Sequence, residues 1–295
     1  MTLPAPSSPP PTVSIGLPVY NGAKFLSQTL DSLLGQSFSD IELIISDNAS
    51  ADGTQQICTE YAIRDSRIRY VRQDVNIGAM RNWNFVAKQA RGKYFKWSSA
   101  SDYCTPDMLT RCLAKMEADP KVILCYGHTC LVDEETGAFT EYAGDFELME
   151  ASPYERFSKV RRTLQLNNVN FGLARTDALL RTRLNRLYPG GDLVFVAELA
   201  LMGRFQLLPE ILLYRRVGRE TSSNRLSPAE EIVWLDPLRT SGIKSPSLLL
   251  HLGYIGAALR APISFSEKVK TLRFAFRDMA WAREKIYFEL LRALK

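Results

Sequence analysis

Apolar and polar positions follow two alternating rhythms along the first half of the chain. Short runs rich in β-branched and aromatic residues recur as "TVSIGLPVY" from Thr12, "IELIIS" from Ile41, "IRYVRQ" from Ile68, "YFKWSS" from Tyr94 and "KVILCYG" from Lys121. Each reads as a strand. Between them lie stretches with helical spacing. In "AKFLSQTLDSLLGQS", Phe25, Leu26, Leu30, Leu33 and Leu34 share one face, and Gly35 stands near the end. A polar turn over residues 47–53 leads into a helix around 55–62. "GAMRNWNFVAKQARG" predicts a helix closed by Gly92, and "PDMLTRCLAKMEAD" one with proline in its first turn. Strand–helix alternation with short links predicts an α/β fold with a mostly parallel central sheet flanked by helices.

Beyond this part the pattern changes. Residues 145–166 are weakly patterned and partly helical. "LYPGGDLVFVAELALMGRFQLLPEILLYRR" gives a turn, an apolar helix, Gly203 and a strand. From Pro228 onward the chain reads as a separable C-terminal helical extension. There Val269, Leu272, Phe276, Met279, Ile286 and Leu290 recur at helical spacing, with Lys268, Lys270, Arg273, Arg277 and Arg283 between them. Such a basic amphipathic stripe either rests on an anionic membrane surface or packs on the main domain or a second subunit, as in a homo-oligomer. The predicted division is a disordered, proline-rich leader over 1–11, a main domain over 12–225 and the extension over 226–295. The leader has neither a basic start nor an apolar core and is not read as a secretory signal, so a cytoplasmic protein is expected, with peripheral membrane contact as the open alternative.

Composition narrows the chemistry. The 295 residues are 46% hydrophobic and 23% charged, enough to bury a large core. Net charge is +5, and residues 228–295 hold 11 Lys/Arg against 7 Asp/Glu, so most of the surplus is C-terminal. That argues against a nucleic-acid face on the main domain. Five cysteines include no close C-x-x-C pair and are read as free core thiols. With only two histidines, any metal is expected to be a hard cation held by oxygen.

In a parallel sheet, ligands bind beyond the C-terminal strand ends. Those ends are "PVYNG", "SDNASADG" and "SSASD", all small, polar or acidic. Asp47 and Asp102 are expected to project from neighbouring strand ends. Oxygen ligands there suit a divalent ion bridging two phosphates, and Asp47 also suits a base or ribose. Arg81, at the start of the third helix, suits phosphate oxygens. Neither a G-x-G-x-x-G nor a phosphate-loop lysine motif is present.

"VSIGLPVYNGAKFLSQTLDSLLGQSFSDIELIISDNASADGT", then "NIGAMRN", then "SSASDYCTPDML" resembles the family 2 glycosyltransferases, over roughly residues 13–125 and more weakly to about 216. The resemblance implies a GT-A fold, a nucleotide-sugar donor of the UDP-sugar kind, a glycan or lipid-linked acceptor, and transfer with inversion in polysaccharide or glycoconjugate biosynthesis. It implies donor contacts from Pro18, Val19, Tyr20, Asn21, Asp47, Asn48, Arg81, Ser101, Asp102 and Arg216. Asp102 matches the last acid of the family's D-x-D-D segment and would hold Mg²⁺ or Mn²⁺. Asp192 matches the catalytic base, and Arg215 and Arg216 resemble the basic segment after the last strand.

The sequence departs from the family at two places. Ser99, Ala100 and Ser101 stand where the family has further acids, and Val217 and Gly218 stand where it often has a histidine. A chain that binds nucleotide-sugars without turnover is therefore the alternative, with a nucleotidyltransferase a distant third. Structural roles also remain open: Asp47 and Asp52 as caps or turn residues, Asp102 as a loop acid, Asp192 as the N-cap of a helix from Leu193, Arg81 as a solvated helix residue, and Arg215 and Arg216 as surface strand charges.

Overall fold

Every side chain of "VSIGLPV" is buried, which places strand β1 (Val13–Val19) inside the sheet instead of at an edge. Helix α1 (Ala23–Leu34) returns the chain to β2 (Ile41–Asp47), and α2 (Thr54–Arg64) to β3 (Ile68–Arg72). Helix α3 (Ala79–Lys88) leads to β4 (Tyr94–Trp97), and the two-residue strand β5 (Tyr103–Cys104) precedes α4 (Met108–Ala118). Pro106 lies just before that helix, whose cap position is Asp107, and not within its first turn. The computed structural model describes residues 9–218, 226–239 and 245–292. Most of the expected leader and the stretch just before residue 226 fall outside the described residues.

The second half supplies the long strand β6 (Val122–Asp133), β7 (Phe139–Glu141) and α5 (Pro153–Thr163), then a 3-10 turn over Asn168–Phe171. Strand β8 (Leu173–Arg175), α6 (Thr176–Arg181), α7 (Gly191–Met202) and β9 (Arg204–Val217) follow. Four helices complete the described chain: α8 (Pro228–Leu235), α9 (Pro246–Arg260), α10 (Phe265–Trp281) and α11 (Arg283–Arg292).

Among the described residues the strands form one nine-stranded sheet, ordered β3-β2-β1-β4-β8-β6-β9-β5, with β7 beside β6. From β3 to β4 all pairs are parallel, as expected. Beyond β4 the sheet is mixed: β8 runs antiparallel to both β4 and β6, and β5 runs antiparallel to β9. The 3-10 turn over Asn168–Phe171 delivers β8 into the sheet at the end where β4 exits, so the two strands run in opposite directions.

Alternate strand residues serve two cores. Val13, Ile15 and Leu17 pack with Leu26 and Leu30 of α1 and with Leu109, Cys112 and Met116 of α4. Phe95 and Trp97 face the other way, into a cluster with Val86, Phe157 and Phe195. Helix α7 is apolar on all sides because it is surrounded; its one buried charge, Glu198, is paired with Arg260 at 2.9 Å.

The C-terminal helices enter this second core. Tyr254 and Phe274 meet Phe157 edge-to-face, at ring separations of 5.8 and 6.1 Å. The buried face of α10 is Thr271, Phe274 and Ala275, not the stripe predicted from spacing; Phe276 of that stripe is exposed and Ile286 is buried. None of the described helices is long and apolar enough to cross a membrane. All five cysteines are free and buried, as the sequence implied.

Candidate active site

The strand ends are laced together before they meet any ligand. At the tip of β2, the backbone N–H of Asn48 donates to the Val19 carbonyl at 2.8 Å. Asn21 has a left-handed backbone (φ 50), donates its N–H to Ser50 Oγ and accepts from the Ala51 N–H at 2.8 Å. Asn48 in turn holds the approach to α3, donating to Asn76 Oδ1 and accepting from the Ile77 N–H. Asp52 accepts from the N–H groups of Thr54 and Ala23, so it serves the starts of two helices.

Above these tips lies a cleft of about 560 Å³, a size that suits a nucleotide-sugar. Pro18, Val19, Tyr20, Asn21 and Asn48 line it from the strand ends, and Trp234 from α8 faces them. Tyr20, Asn48, Ala79 and Trp234 continue into a second, largely apolar groove of about 440 Å³. Gly78 makes that cover fit. Its φ is 87, and a Cβ there would lie 2.6 Å from the Leu235 carbonyl oxygen and from Pro237 Cδ.

Deeper in the cleft, Ser99, Ser101, Asp102, Arg215 and Arg216 line one wall. The antiparallel pairing of β5 with β9 brings Asp102 against the arginine pair, and Tyr103 stacks on Tyr214 at 4.8 Å. Asp102 is only 3% exposed. Its Oδ1 accepts the Arg216 backbone N–H at 3.0 Å. Burial pushes its carboxyl above the ordinary aspartate range, opposed by the nearby Arg215 charge, the Arg216 N–H, Lys96 and Ser101. The Arg216 guanidinium is held by Gln28 and the Ser101 carbonyl and lies over Phe25 at 4.4 Å. Arg215 donates to Asn168 at 2.6 Å.

Across the cleft, Asp192 sits in the first turn of α7 and accepts from Asn167 Nδ2 at 2.9 Å. It is not the helix cap. That position is Gly190, with left-handed backbone (φ 77). Asn170, Phe171, Asn185 and Trp83 complete this side.

Two expected donor residues are elsewhere. Asp47 is fully buried behind the tip of β2, bonded to Arg72 at 2.6 Å, Tyr70 at 3.2 Å and the Ser50 N–H, and it does not line the cleft. Nor does Arg81, whose guanidinium pairs with Asp236 at 3.2 Å and so ties α3 to the end of α8. Asp47 and Asp102 are not on neighbouring strands either, since β1 lies between β2 and β4. Pro18, Val19, Tyr20, Asn21, Asn48, Ser101, Asp102, Asp192 and Arg216 are all brought together.

The sequence reading missed Trp234, Trp83, the asparagines at 167, 170 and 185, and Lys96. Lys96 is buried on β4, donates to the Trp97 carbonyl at 3.0 Å, and is held below the ordinary lysine range by burial. The "NNVN" run before β8 was a legible signal; a lone lysine in an apolar strand was another.

A metal would find a thin donor set. Among the described residues no group of three or more His, Cys, Asp or Glu could hold one. Asp102 with the hydroxyls of Ser99 and Ser101 fits an ion that takes its remaining ligands from a diphosphate and water, as Mg²⁺ does.

Three comparisons place this geometry. Glycosyltransferase GlyG of Streptococcus pneumoniae is 26% identical over 205 residues, covering 68% of this chain and 67% of that protein. The uncharacterized glycosyltransferase EpsJ of Bacillus subtilis is 38% identical over 107 residues, but the match spans 36% of this chain and only 31% of that one. The structure of S. aureus TarS 1-349 in complex with UDP-GlcNAc superposes with a TM-score of 0.63 at 18% identity, covering 96% of this chain and 79% of that chain. The fold is thus GT-A-like, a mixed sheet flanked by helices with further helices at the C-terminus. The glycosyl transferase family 2 model matches residues 14–187, more than half of the chain, from the first strand to the approach of the Asp192 helix, and on that extent the chain belongs to glycosyl transferase family 2.

Proposed function

We propose that this protein transfers a sugar, with inversion, from a nucleotide-sugar to a glycan or lipid-linked acceptor in polysaccharide or glycoconjugate synthesis. One observation carries the reading: Asp102 and Asp192 line one cleft whose other end is a strand-tip seat covered by an aromatic residue. Tyr20 and Trp234 suit the nucleoside, and a UDP-sugar is the favoured donor because TarS, of the same fold, binds UDP-GlcNAc. Arg215 and Arg216 suit the diphosphate. Asp102 would hold Mg²⁺ or Mn²⁺ there, and the ion would supply charge stabilisation for the departing nucleoside diphosphate.

Asp192 takes the proton from the acceptor hydroxyl as its oxygen attacks the anomeric carbon. The bond from that carbon to the phosphate oxygen breaks, and its electron pair leaves with the diphosphate. Phe276 and Trp281 are exposed on the same helix as exposed Arg273 and Arg277, with Arg277 over the Trp281 ring at 5.1 Å, which favours peripheral contact of a cytoplasmic protein with anionic lipid.

The test uses water as the acceptor. Asp192→Asn is expected to slow release of UDP from UDP-GlcNAc by about 100-fold or more, with Mn²⁺ present and thermal stabilisation by UDP unchanged. Undiminished release from the variant refutes the role of Asp192. The lone carboxylate at the diphosphate favours one rival, a nucleotide-sugar-binding protein without turnover, which predicts no release from the wild type.

A further inference from the structure

The amide side of the cleft has a feature that neither nucleotide binding nor proton transfer uses. Among the described residues eight buried side-chain polar atoms have no hydrogen-bond partner, and four of them belong to Asn167, Asn170 and Asn185. All three residues line the cleft. A buried amide atom left unpaired costs about 1–3 kcal/mol, so folded proteins leave few of them. The cost is not forced by the segment. Asn168, in the same turn, is satisfied at both ends, donating to Asp145 at 3.1 Å and accepting from Arg215 at 2.6 Å.

Asn185 is the most telling. It is 3% exposed, and neither its Oδ1 nor its Nδ2 has a partner. Its backbone is fixed from both sides: its N–H donates to Asn84 Oδ1 at 3.0 Å, and its carbonyl accepts from Asn84 Nδ2 at 2.7 Å. The preceding Leu184 has φ 54, a left-handed conformation that a leucine holds only where its surroundings over-determine it. Two hydrogen bonds and a left-handed residue thus hold in place an amide whose own atoms pair with no other group of the protein.

We infer that Asn170 and Asn185, with Asn167 bonded to Asp192, form a subsite for a neutral, hydroxyl-bearing sugar ring. The inference rests on the transfer reading above. A carboxamide donates and accepts at once, as a sugar hydroxyl does, so each orphaned atom has a match on such a ring. Trp83 and Phe171, 5.8 Å apart and edge-to-face, offer apolar surface to the ring's C–H groups. The amides carry no charge to offset a sugar carboxylate, and the Asp192 carboxylate, 2.9 Å from Asn167, repels one; the cation on this side, Arg215, lies 5.7 Å from the Phe171 ring and is engaged by Asn168 at 2.6 Å.

Asn185→Leu tests this, because leucine keeps the branched outline of the side chain and removes both orphaned atoms. Thermal stability is measured for both proteins alone, with UDP, with UDP-GlcNAc, with UDP-glucose and with UDP-glucuronate. A second arm adds methyl glucoside or methyl N-acetylglucosaminide to the UDP-loaded proteins. The variant alone is expected to melt at or above the wild-type temperature and to keep its response to UDP. It is expected to lose the added stabilisation that the neutral sugar gives, equivalent to about tenfold weaker binding. Wild type is expected to favour the neutral donors over UDP-glucuronate. Loss of the nucleotide-sugar increment assigns the ring to the donor, and loss of the glycoside response assigns it to the acceptor. A variant that keeps both, or that melts lower and loses its UDP response, overturns the subsite alone. A wild type that responds to no UDP compound overturns the transfer reading and takes the subsite with it.

Discussion

Two buried carboxylates, at opposite ends of the parallel strands, are treated in opposite ways. Near the start of β2, Glu42 is 3% exposed and fully engaged. It accepts from Ser14 Oγ at 2.6 Å, Arg69 at 2.8 Å, the Arg91 side chain at 2.9 Å and the Arg91 N–H at 3.0 Å. Burial raises its pKa, but these bonds outweigh it, and the carboxyl lies below its ordinary range. At the other end Asp102 is as deeply buried, yet it accepts one backbone N–H and a long contact from Ser101 at 3.4 Å, and its carboxyl is pushed up. One end is closed by its own side chains and holds the sheet together. The other keeps binding capacity in reserve for a ligand.

The comparison is broken most directly at Asp102. Asp102→Asn is expected to cut UDP release from UDP-GlcNAc by about 100-fold or more. It should also raise the melting temperature at neutral pH by about 2 °C or more, since it removes a charge that burial penalises. The pH dependence follows from linkage. The folded pKa is raised, so the folded chain binds the proton more tightly than the unfolded chain. Stability then falls as pH rises from the ordinary aspartate value through the elevated one, and the Asn variant should lose that fall in a series of melts against pH. A variant that melts lower at neutral pH would make Asp102 a structural acid like Glu42.

Glu42→Ala should behave in the reverse sense. It strips the partner from two arginines and is expected to cost about 3 kcal/mol, read by denaturant unfolding, with UDP-GlcNAc turnover unchanged below the melting range. Because the folded pKa is lowered, stability from Glu42 is present above the ordinary glutamate value and is lost as pH falls through the folded one. Loss of turnover in the folded variant would end the division between closed and open ends. Trp234→Ala is the mildest probe. It removes one aromatic wall of the groove at the strand tips and is expected to weaken UDP binding by up to about tenfold in calorimetry. An unchanged affinity would remove α8 from the open end.

The parallel half of the fold was legible because its signal is local. "VSIGLPV" and "IELIIS" are rich in β-branched and aliphatic residues and wholly buried, and Leu26, Leu30 and Leu33 keep helical spacing between them. The mixed half was not, because the direction of β8 depends on pairing with β4, some eighty residues earlier in sequence. The same division holds in the site. Asp102 and Asp192 carry motif context, and the structure puts both in the cleft. Asp47 and Arg81 carry it too, yet their ionic partners, Arg72 and Asp236, are set by tertiary packing that no local pattern encodes. Asn185 left no trace at all, since its meaning lies in what its side chain lacks.

The seat of α8 against Gly78 limits how this protein can be re-engineered. One wall of the apolar groove beside the cleft comes from residues 233, 234 and 237, and the later helices plug the core around Phe157. Cutting the chain before residue 226, or grafting a relative's tail there, would open the cleft and the core in one stroke. Retargeting is better attempted by exchanging single side chains within the groove than by treating the C-terminal helices as an interchangeable cassette.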